Sequence, residues 1–227
     1  LVLSYTTFIT RLLLSFRMRI LLTGSAGMIG MHTGQLLLER GDEVVGIDNF
    51  NDYYDIKLKE ARNKELEKFD NFTLYRADIA DTKKLISIIQ KHKIDMICNL
   101  AAQAGVRYSI IKPFSYEHSN NAGFLSILEA AKACDIKHIV YASSSSVYGG
   151  NTKIPWSETD STDNPINVYA ATKKYNELLA KVYHNLYGMK LTGLRFFTVY
   201  GRYNRPDMAA WLFADAWKRC GGDNRQF

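Results

Sequence analysis

The chain has 227 residues, 47% hydrophobic and 23% charged, with 15 Gly and 4 Pro, which excludes a disordered, collagenous or disulfide-scaffold protein and leaves one large domain, or one and part of another. A formal charge of +6 would suggest an anionic partner if it were clustered, but residues 1–18 and 202–227 each hold a surplus of two bases. The long middle keeps a surplus of only two, which is no phosphate-tracking stripe and argues against nucleic acid as a partner.

The opening LVLSYTTFITRLLLSFR begins with Leu, is interrupted by Arg11, and is too short for a bilayer span, which needs about 20 apolar residues. It lacks a basic start and a small-residue cleavage pattern, so residues 1–17 read as an extraneous extension before a start at Met18. From there short apolar runs alternate with helical spacing. MRILLT is a strand ending in a glycine cluster, MIGMHTGQLLLERG a helix stopped at Gly41, and EVVGID the next strand. A charged helix spans about Ile56 to Phe69, followed by the strand FTLYRAD, the helix TKKLISIIQKH and the strand IDMICNLAA. After Pro113 a long helix runs through FLSILEAAKA to the strand HIVYASS. Residues 149–166, with Pro155 and Pro165, form a long loop. A helix from near Asn167 to Gly188 keeps Val168, Ala171, Tyr175, Leu178, Val182 and Leu186 at a 3.6 period, and KLTGLRFF is a last strand. Continuous apolar strands alternating with helices predict an α/β fold, a Rossmann-type doubly wound parallel sheet covered on both faces.

Cys98, Cys134 and Cys220 are odd in number and widely spaced, and the first two lie in apolar runs. They read as buried thiols of a reducing, cytoplasmic compartment. The histidines show no metal-ligand spacing, so no metal is expected.

Thr23-Gly24-Ser25-Ala26-Gly27-Met28-Ile29-Gly30 stands between strand and helix. The first Gly permits a tight turn, the second lets backbone amides approach a pyrophosphate, and the third lets the helix pack on the strand, with the phosphates at the positive end of the helix dipole. Asp48 closes the second strand 24 residues after Gly24, placed to accept hydrogen bonds from an adenosine ribose. It would repel a 2′-phosphate, and Asn49 brings no compensating charge, so the expected cofactor is NAD rather than NADP.

Tyr169 and Lys173 share one face of a helix. A phenol with an ordinary pKa of about 10 is a poor base at neutral pH, but a neighbouring ammonium and a positive nicotinamide ring would favour phenolate. Tyr169 would then take a proton from a substrate hydroxyl while a hydride leaves the same carbon. The run Ser143-Ser144-Ser145-Ser146 offers hydroxyls to hold that oxygen.

With TGxxGxxG, Leu100-Ala101-Ala102, the serine run before Val147-Tyr148-Gly149, and YxxxK in this order, residues 18 to about 214 resemble the extended short-chain dehydrogenase/reductases that act on nucleotide sugars. The longer blocks GIDNFNDYYD, LAAQAGVRYS, YASSSSVYGGNTKIP, VYAATKK and LRFFTVYGRYNRPDM are most similar to the UDP-glucuronate 4-epimerases. The resemblance implies oxidation at C4, rotation of the 4-keto sugar and return of the hydride to the opposite face, interconverting UDP-glucuronate and UDP-galacturonate with NAD. It places Ser144, Tyr169 and Lys173 as the catalytic set. It implies cofactor contacts from Gly24, Gly27, Met28, Ile29, Gly30, Asp48, Asn49, Asp78, Ile79, Leu100, Ala101, Ala102, Gln103, Tyr169, Lys173 and Phe196. Related dehydratases and decarboxylases carry acids just before Val-Tyr-Gly, where this chain has only serine, which favours plain epimerisation.

A uronate must be met by a cation, ideally an arginine fork, and the resemblance points to Arg205, then Arg107. Asn120, Ser144, Ser145 and Thr198 complete the expected substrate contacts. The family's Pro-Trp-Gly before this Arg is Arg202-Tyr203-Asn204 here, which leaves the aim of Arg205 open. After Ala214 the resemblance stops while family members continue, so the chain reads as truncated and is expected to bind NAD but to turn over UDP-glucuronate poorly or not at all. The expected domains are an NAD-binding unit over 18–198 and the start of a substrate-binding unit over 199–227. A homodimer through helices 115–134 and 167–187 is implied by the family. Epimerisation of a neutral UDP-hexose, or a non-catalytic NAD-binding fragment, are the other readings.

Overall fold

The computed structural model describes residues 17–220, so most of the opening segment and the last seven residues lie outside the described residues. Six strands form one parallel sheet in the order β3-β2-β1-β4-β5-β6: β1 Arg19–Thr23, β2 Glu43–Asp48, β3 Phe72–Arg76, β4 Met96–Asn99, β5 His138–Ser144 and β6 Lys190–Phe196. Strand order reverses between β1 and β4, whose carboxyl ends open the crevice where ligands bind in such sheets. The interleaved helices are α1 Met28–Glu39, α2 Ile56–Leu66, α3 Thr82–His92, α4 Val106–Ile111, α5 Pro113–Tyr116, α6 Gly123–Ala133, α7 Val168–Tyr187 and α8 Ala209–Arg219.

Alternate residues of each strand feed opposite cores, as the pleat requires. Leu21, Val45, Ile47 and Ile139 pack with Leu85, Ile88, Phe124 and Ile127 from α3 and α6. Leu22 and Val44 pack with Met31 and Leu38 of α1 and Leu66 of α2.

Local differences from the sequence reading have physical causes. β4 is shorter than IDMICNLAA because residues after Asn99 leave the ladder: Leu100 N–H donates to the Thr23 carbonyl, at 3.2 Å, and Ala101 N–H to Thr23 Oγ1, at 3.1 Å. The helix expected from Pro113 is interrupted by a π-helical turn, Glu117–Ala122, which local propensity does not signal. Two helices, α4 and α8, lie in stretches read without regular structure. α7 has the expected ends, with Asn167 Oδ1 accepting from Ala170 N–H, at 2.8 Å, and Gly188 closing it at φ 65°. Its apolar period faces outward: Leu178, Val182 and Leu186 are 54%, 45% and 65% exposed. The buried face is Ala170, Thr172, Lys173, Asn176, Ala180 and Tyr183.

Cys98 and Cys134 are half-buried and Cys220 is exposed. Burial pushes the Cys98 thiol up to about 11 and the Cys134 thiol upward, so neither is a poised nucleophile. Among the described residues no helix is long and apolar enough to cross a membrane.

Candidate active site

A cleft of about 1080 Å³ runs along the carboxyl ends of β1, β2, β4, β5 and β6. At one end lies the glycine loop. Gly24 adopts φ +68°, and a Cβ there would come within 2.7 Å of the Ala101 nitrogen; only glycine allows this crossing. α1 begins at Gly27 with no side-chain cap, so its first amides are left for whatever enters the cleft.

Asp48 is 8% exposed. Its Oδ1 accepts from Phe50 N–H, at 2.8 Å, and stands 3.6 Å from Lys59 Nζ. This cation was not foreseen: eleven residues from Asp48 along the chain, it reaches the strand end only because α2 packs back there. Desolvation holds the Lys59 ammonium below its ordinary value. The pair leaves no free charge for a 2′-phosphate. Burial alone would raise the Asp78 carboxyl, but hydrogen bonds from Ala80 N–H, Asn49 and His118 outweigh it and hold the group below the usual carboxylate range. Gly27, Met28, Ile29, Gly30, Asn49, Asp78, Ile79, Leu100, Ala101, Ala102, Gln103 and Phe196 all line this cleft.

Asn120 does not. It is 2% exposed and turned into the wall by the π-helical turn, where its Oδ1 accepts from Gln103 N–H, at 2.8 Å. Its Nδ2 donates to the Gln103 carbonyl, at 3.1 Å, and to Thr172 Oγ1, at 3.0 Å. Asn120 therefore pins the 100–105 segment to α7 from behind.

The structure sorts the four serines by partner. Ser143 Oγ donates to Glu177 Oε1, at 2.6 Å, and Ser144 Oγ accepts from Ser146 N–H, at 3.2 Å. Tyr169 meets Ser144 across the cleft. Desolvation raises the Tyr169 phenol, and the Ser144 hydrogen bond and the Arg205 charge only partly offset it. The neighbour expected to favour phenolate, together with a nicotinamide ring, is Lys173. The ammonium is 3% exposed, donates to the Ala142 carbonyl, at 2.8 Å, and sits 6.0 Å from the Tyr169 ring centroid. Its burial lowers it to about 8, which still leaves it mostly an ammonium at neutral pH.

At the far end Ser145, Thr198, Arg107 and Arg205 line the cleft. The loop that carries Arg205 is tied down by a buried arginine. Arg62 is 0% exposed and donates twice to the Tyr203 carbonyl, at 3.0 and 2.6 Å, once to the Ala26 carbonyl, at 3.1 Å, and once to Tyr54 Oη, at 2.5 Å. It holds Tyr203 at φ 61°, where glycine would be usual, and so ties the 199–208 loop to the glycine loop. Nothing in the spacing of Arg62 signalled this contact across 141 residues.

A family model described as GDP-mannose 4,6 dehydratase matches residues 21–220. UDP-glucuronate 4-epimerase 4 of Arabidopsis thaliana is 52% identical over 195 residues, covering 86% of this chain and 44% of that protein. Among solved structures, UDP-glucuronic acid 4-epimerase from Bacillus cereus, in complex with UDP-glucuronic acid and NAD, is 39% identical with a TM-score of 0.76, over 86% of this chain and 61% of that one. UDP-glucose 4-epimerase from Thermotoga maritima, with UDP-glucose, is 30% identical with a TM-score of 0.80, over 91% of this chain and 64% of that one. The chain thus spans between 44% and 64% of the length of these three proteins.

Proposed function

Since this chain belongs to the GDP-mannose 4,6-dehydratase family of short-chain dehydrogenases/reductases, we propose that it is a nucleotide-sugar 4-epimerase that uses NAD and acts on UDP-glucuronate and UDP-galacturonate. The observation that carries this reading is one cleft lined both by the glycine loop with Asp48 and by Ser144, Tyr169 and Arg205.

The residues fit the dinucleotide. The space a Cβ would fill at Gly24 and Gly30 is closed by backbone alone, so a close-approach loop is built there. Gly27, Met28 and Ile29 would offer amides to the phosphates, and Asp48 would take the ribose hydroxyls. When bound, NAD supplies a hydride acceptor and donor. The protein's own part is to move one proton. Tyr169 Oη takes it from the sugar hydroxyl and returns it to the resulting carbonyl oxygen, while Ser144 Oγ holds that oxygen in line. A phenol above its ordinary value returns the proton readily, while taking it would depend on the Lys173 ammonium and a positive nicotinamide ring, which both favour phenolate.

Among the described residues, the carboxylates that line the cleft are Asp48, Asp78 and Asp207, none of them in the serine run or its neighbours in sequence. Glu177, the nearest acid to Ser143, is bound at both oxygens by Arg195, each at 2.9 Å, and is not among the lining residues. This supports epimerisation over dehydration, which needs an acid or base at a second carbon. A neutral UDP-hexose is the second reading, favoured by the ion pair that Arg205 already makes with Asp207, 3.1 Å away. The outward apolar face of α7, with Leu125 of α6, supports a homodimer, and the 199–208 loop with α8 is read as the start of a substrate-binding unit.

The test is incubation of the protein with NAD and either UDP-glucuronate or UDP-glucose, read by proton NMR of the C4 epimers. UDP-galacturonate formation that Tyr169→Phe abolishes is the expected result. Epimerisation of UDP-glucose alone would overturn the uronate reading. Turnover that persists in Tyr169→Phe would overturn the role of the phenol.

A further inference from the structure

The Arg205 loop contains an arrangement that proton transfer does not use. Tyr53 Oη donates to Asp207 Oδ2, at 2.9 Å, while Asp207 Oδ1 stands 3.1 Å from Arg205 Nε. The Arg205 guanidinium lies 5.7 Å from the Tyr53 ring centroid. One carboxylate thus occupies the Nε edge of the guanidinium. At its terminal edge, the side-chain acceptor within reach among the described residues is the Met208 thioether, 3.4 Å from the NH2 nitrogen. A thioether is a weak acceptor, so the end of the fork that suits a second planar carboxylate has no strong internal partner.

Tyr53 is itself firmly seated. Its ring centroid is 4.6 Å from that of Tyr108, and a Cβ at Gly105 would come within 2.6 Å of its hydroxyl. Burial first, and Asp207 second, push its phenol up to about 12, so at neutral pH it is a hydrogen-bond donor. Tyr53, Arg205, Asp207 and Met208 all line the cleft, and the Arg205 charge is felt at Tyr169. A sugar in this cleft would face both, since Tyr169 and Arg205 line it.

We infer that Tyr53 and Asp207 are positioning residues that hold Arg205 by its Nε edge and present its terminal edge to the substrate, and so set the preference for a carboxylated over a neutral sugar nucleotide. Asp207 would in this way complete the recognition of the uronate rather than compete with it. This rests on the reading of the cleft as a UDP-sugar site.

The test measures binding of UDP-glucuronate and UDP-glucose, with NAD present, to the wild type and to Asp207→Asn, Tyr53→Phe and Arg205→Met. Asp207→Asn and Tyr53→Phe are expected to weaken UDP-glucuronate by about tenfold or more, to change UDP-glucose by less than about twofold, and to leave the melting temperature in place. Equal losses on both ligands, or no loss, overturn the inference. A ligand-free measurement stands beside it: the Nε–Hε NMR resonance of Arg205, identified by its disappearance in Arg205→Lys. It is expected to be sharp and protected in the wild type and averaged with solvent in Asp207→Asn, and an unchanged resonance overturns the clamp. If the wild type does not favour UDP-glucuronate, or Arg205→Met keeps the preference, the uronate reading itself fails. If Arg205→Met abolishes the preference while the other two variants keep it, only the present inference fails.

Discussion

Replacing Gly30 by Ala tests the glycine loop directly. The new methyl carbon would lie 2.0 Å from the Gly24 carbonyl oxygen, 2.9 Å from its carbon and 3.0 Å from Ser25 Cα. All three are backbone, so no side chain can swing away. Restoring an ordinary contact of about 3.3 Å requires α1 to move off the turn by more than about 1 Å. The turn cannot follow freely, because Gly24 N–H is bonded to the Ile47 carbonyl, at 2.7 Å, and Gly27 N–H to the Gly24 carbonyl, at 2.9 Å. Overpacking of this kind costs about 1–3 kcal/mol, and helix propensity returns at most about 1 kcal/mol. A net loss near 2 kcal/mol lowers the melting temperature by about 4–8 °C for a chain of this size, and the displaced amides weaken NAD by more than about tenfold. Gly34→Ala is the internal control. On the same helix, with the same propensity gain, its Cβ would meet only the side-chain ends Leu66 Cδ2, at 3.0 Å, and Leu22 Cδ2, at 3.2 Å, which can yield. Thermal unfolding and fluorescence titration with NAD compare the two. Matching melting temperatures and NAD affinities in the two variants would refute the reasoning.

Three further outcomes are expected. Arg195→Met strips the two arginine hydrogen bonds from the largely buried Glu177 carboxylate, leaving only that from Ser143, and destabilises the fold by about 2–4 kcal/mol in urea unfolding. Because Arg195 and Ser143 hold the Glu177 carboxyl below its ordinary value against the opposing effect of burial, that stability is present at neutral pH and is lost as pH falls through the folded pKa. The variant should therefore show a shallower acid decline than the wild type, and parallel declines would count against it. Lys173, lowered to about 8 by burial, works in the other direction. Between about pH 8 and its unfolded pKa of about 10.4 the unfolded chain binds more protons, so stability rises with pH. Lys173→Met should remove that rise and gain about 1–3 kcal/mol at pH 7 while abolishing turnover; urea midpoints at pH 7 and pH 10 decide it. Arg62→Met should release the Tyr203 carbonyl and accelerate hydrogen exchange of residues 199–208 by about tenfold or more, whereas exchange confined to α2 would show that the arginine is only local packing.

The sequence by itself determined the doubly wound class and marked out the two residue groups read as a dinucleotide loop and a proton-transfer set. Those features are written in short-range patterns: apolar runs of strand length, glycines at a strand-to-helix turn, Asn167 and Gly188 bounding a helix, and Tyr169 four residues before Lys173 on one helical face. Each is local, and local geometry follows from local residues. The tertiary structure decided what depends on distant partners and on water. It turned the apolar period of α7 outward and buried a polar face carrying Lys173 and Asn176, which no periodicity distinguishes. It moved Asn120 from the cleft into its wall through a π-helical turn, and brought Lys59 to Asp48 and Arg62 to Tyr203. It also set burial of the Tyr169 phenol against the charges that would lower it, because the cost of desolvating an ionised group is set by everything packed around it. The mildly basic balance of the whole chain said little about partners; the charges that bear on the proposed function are single groups, Asp48, Lys59, Lys173 and Arg205, each defined by what the fold places against it.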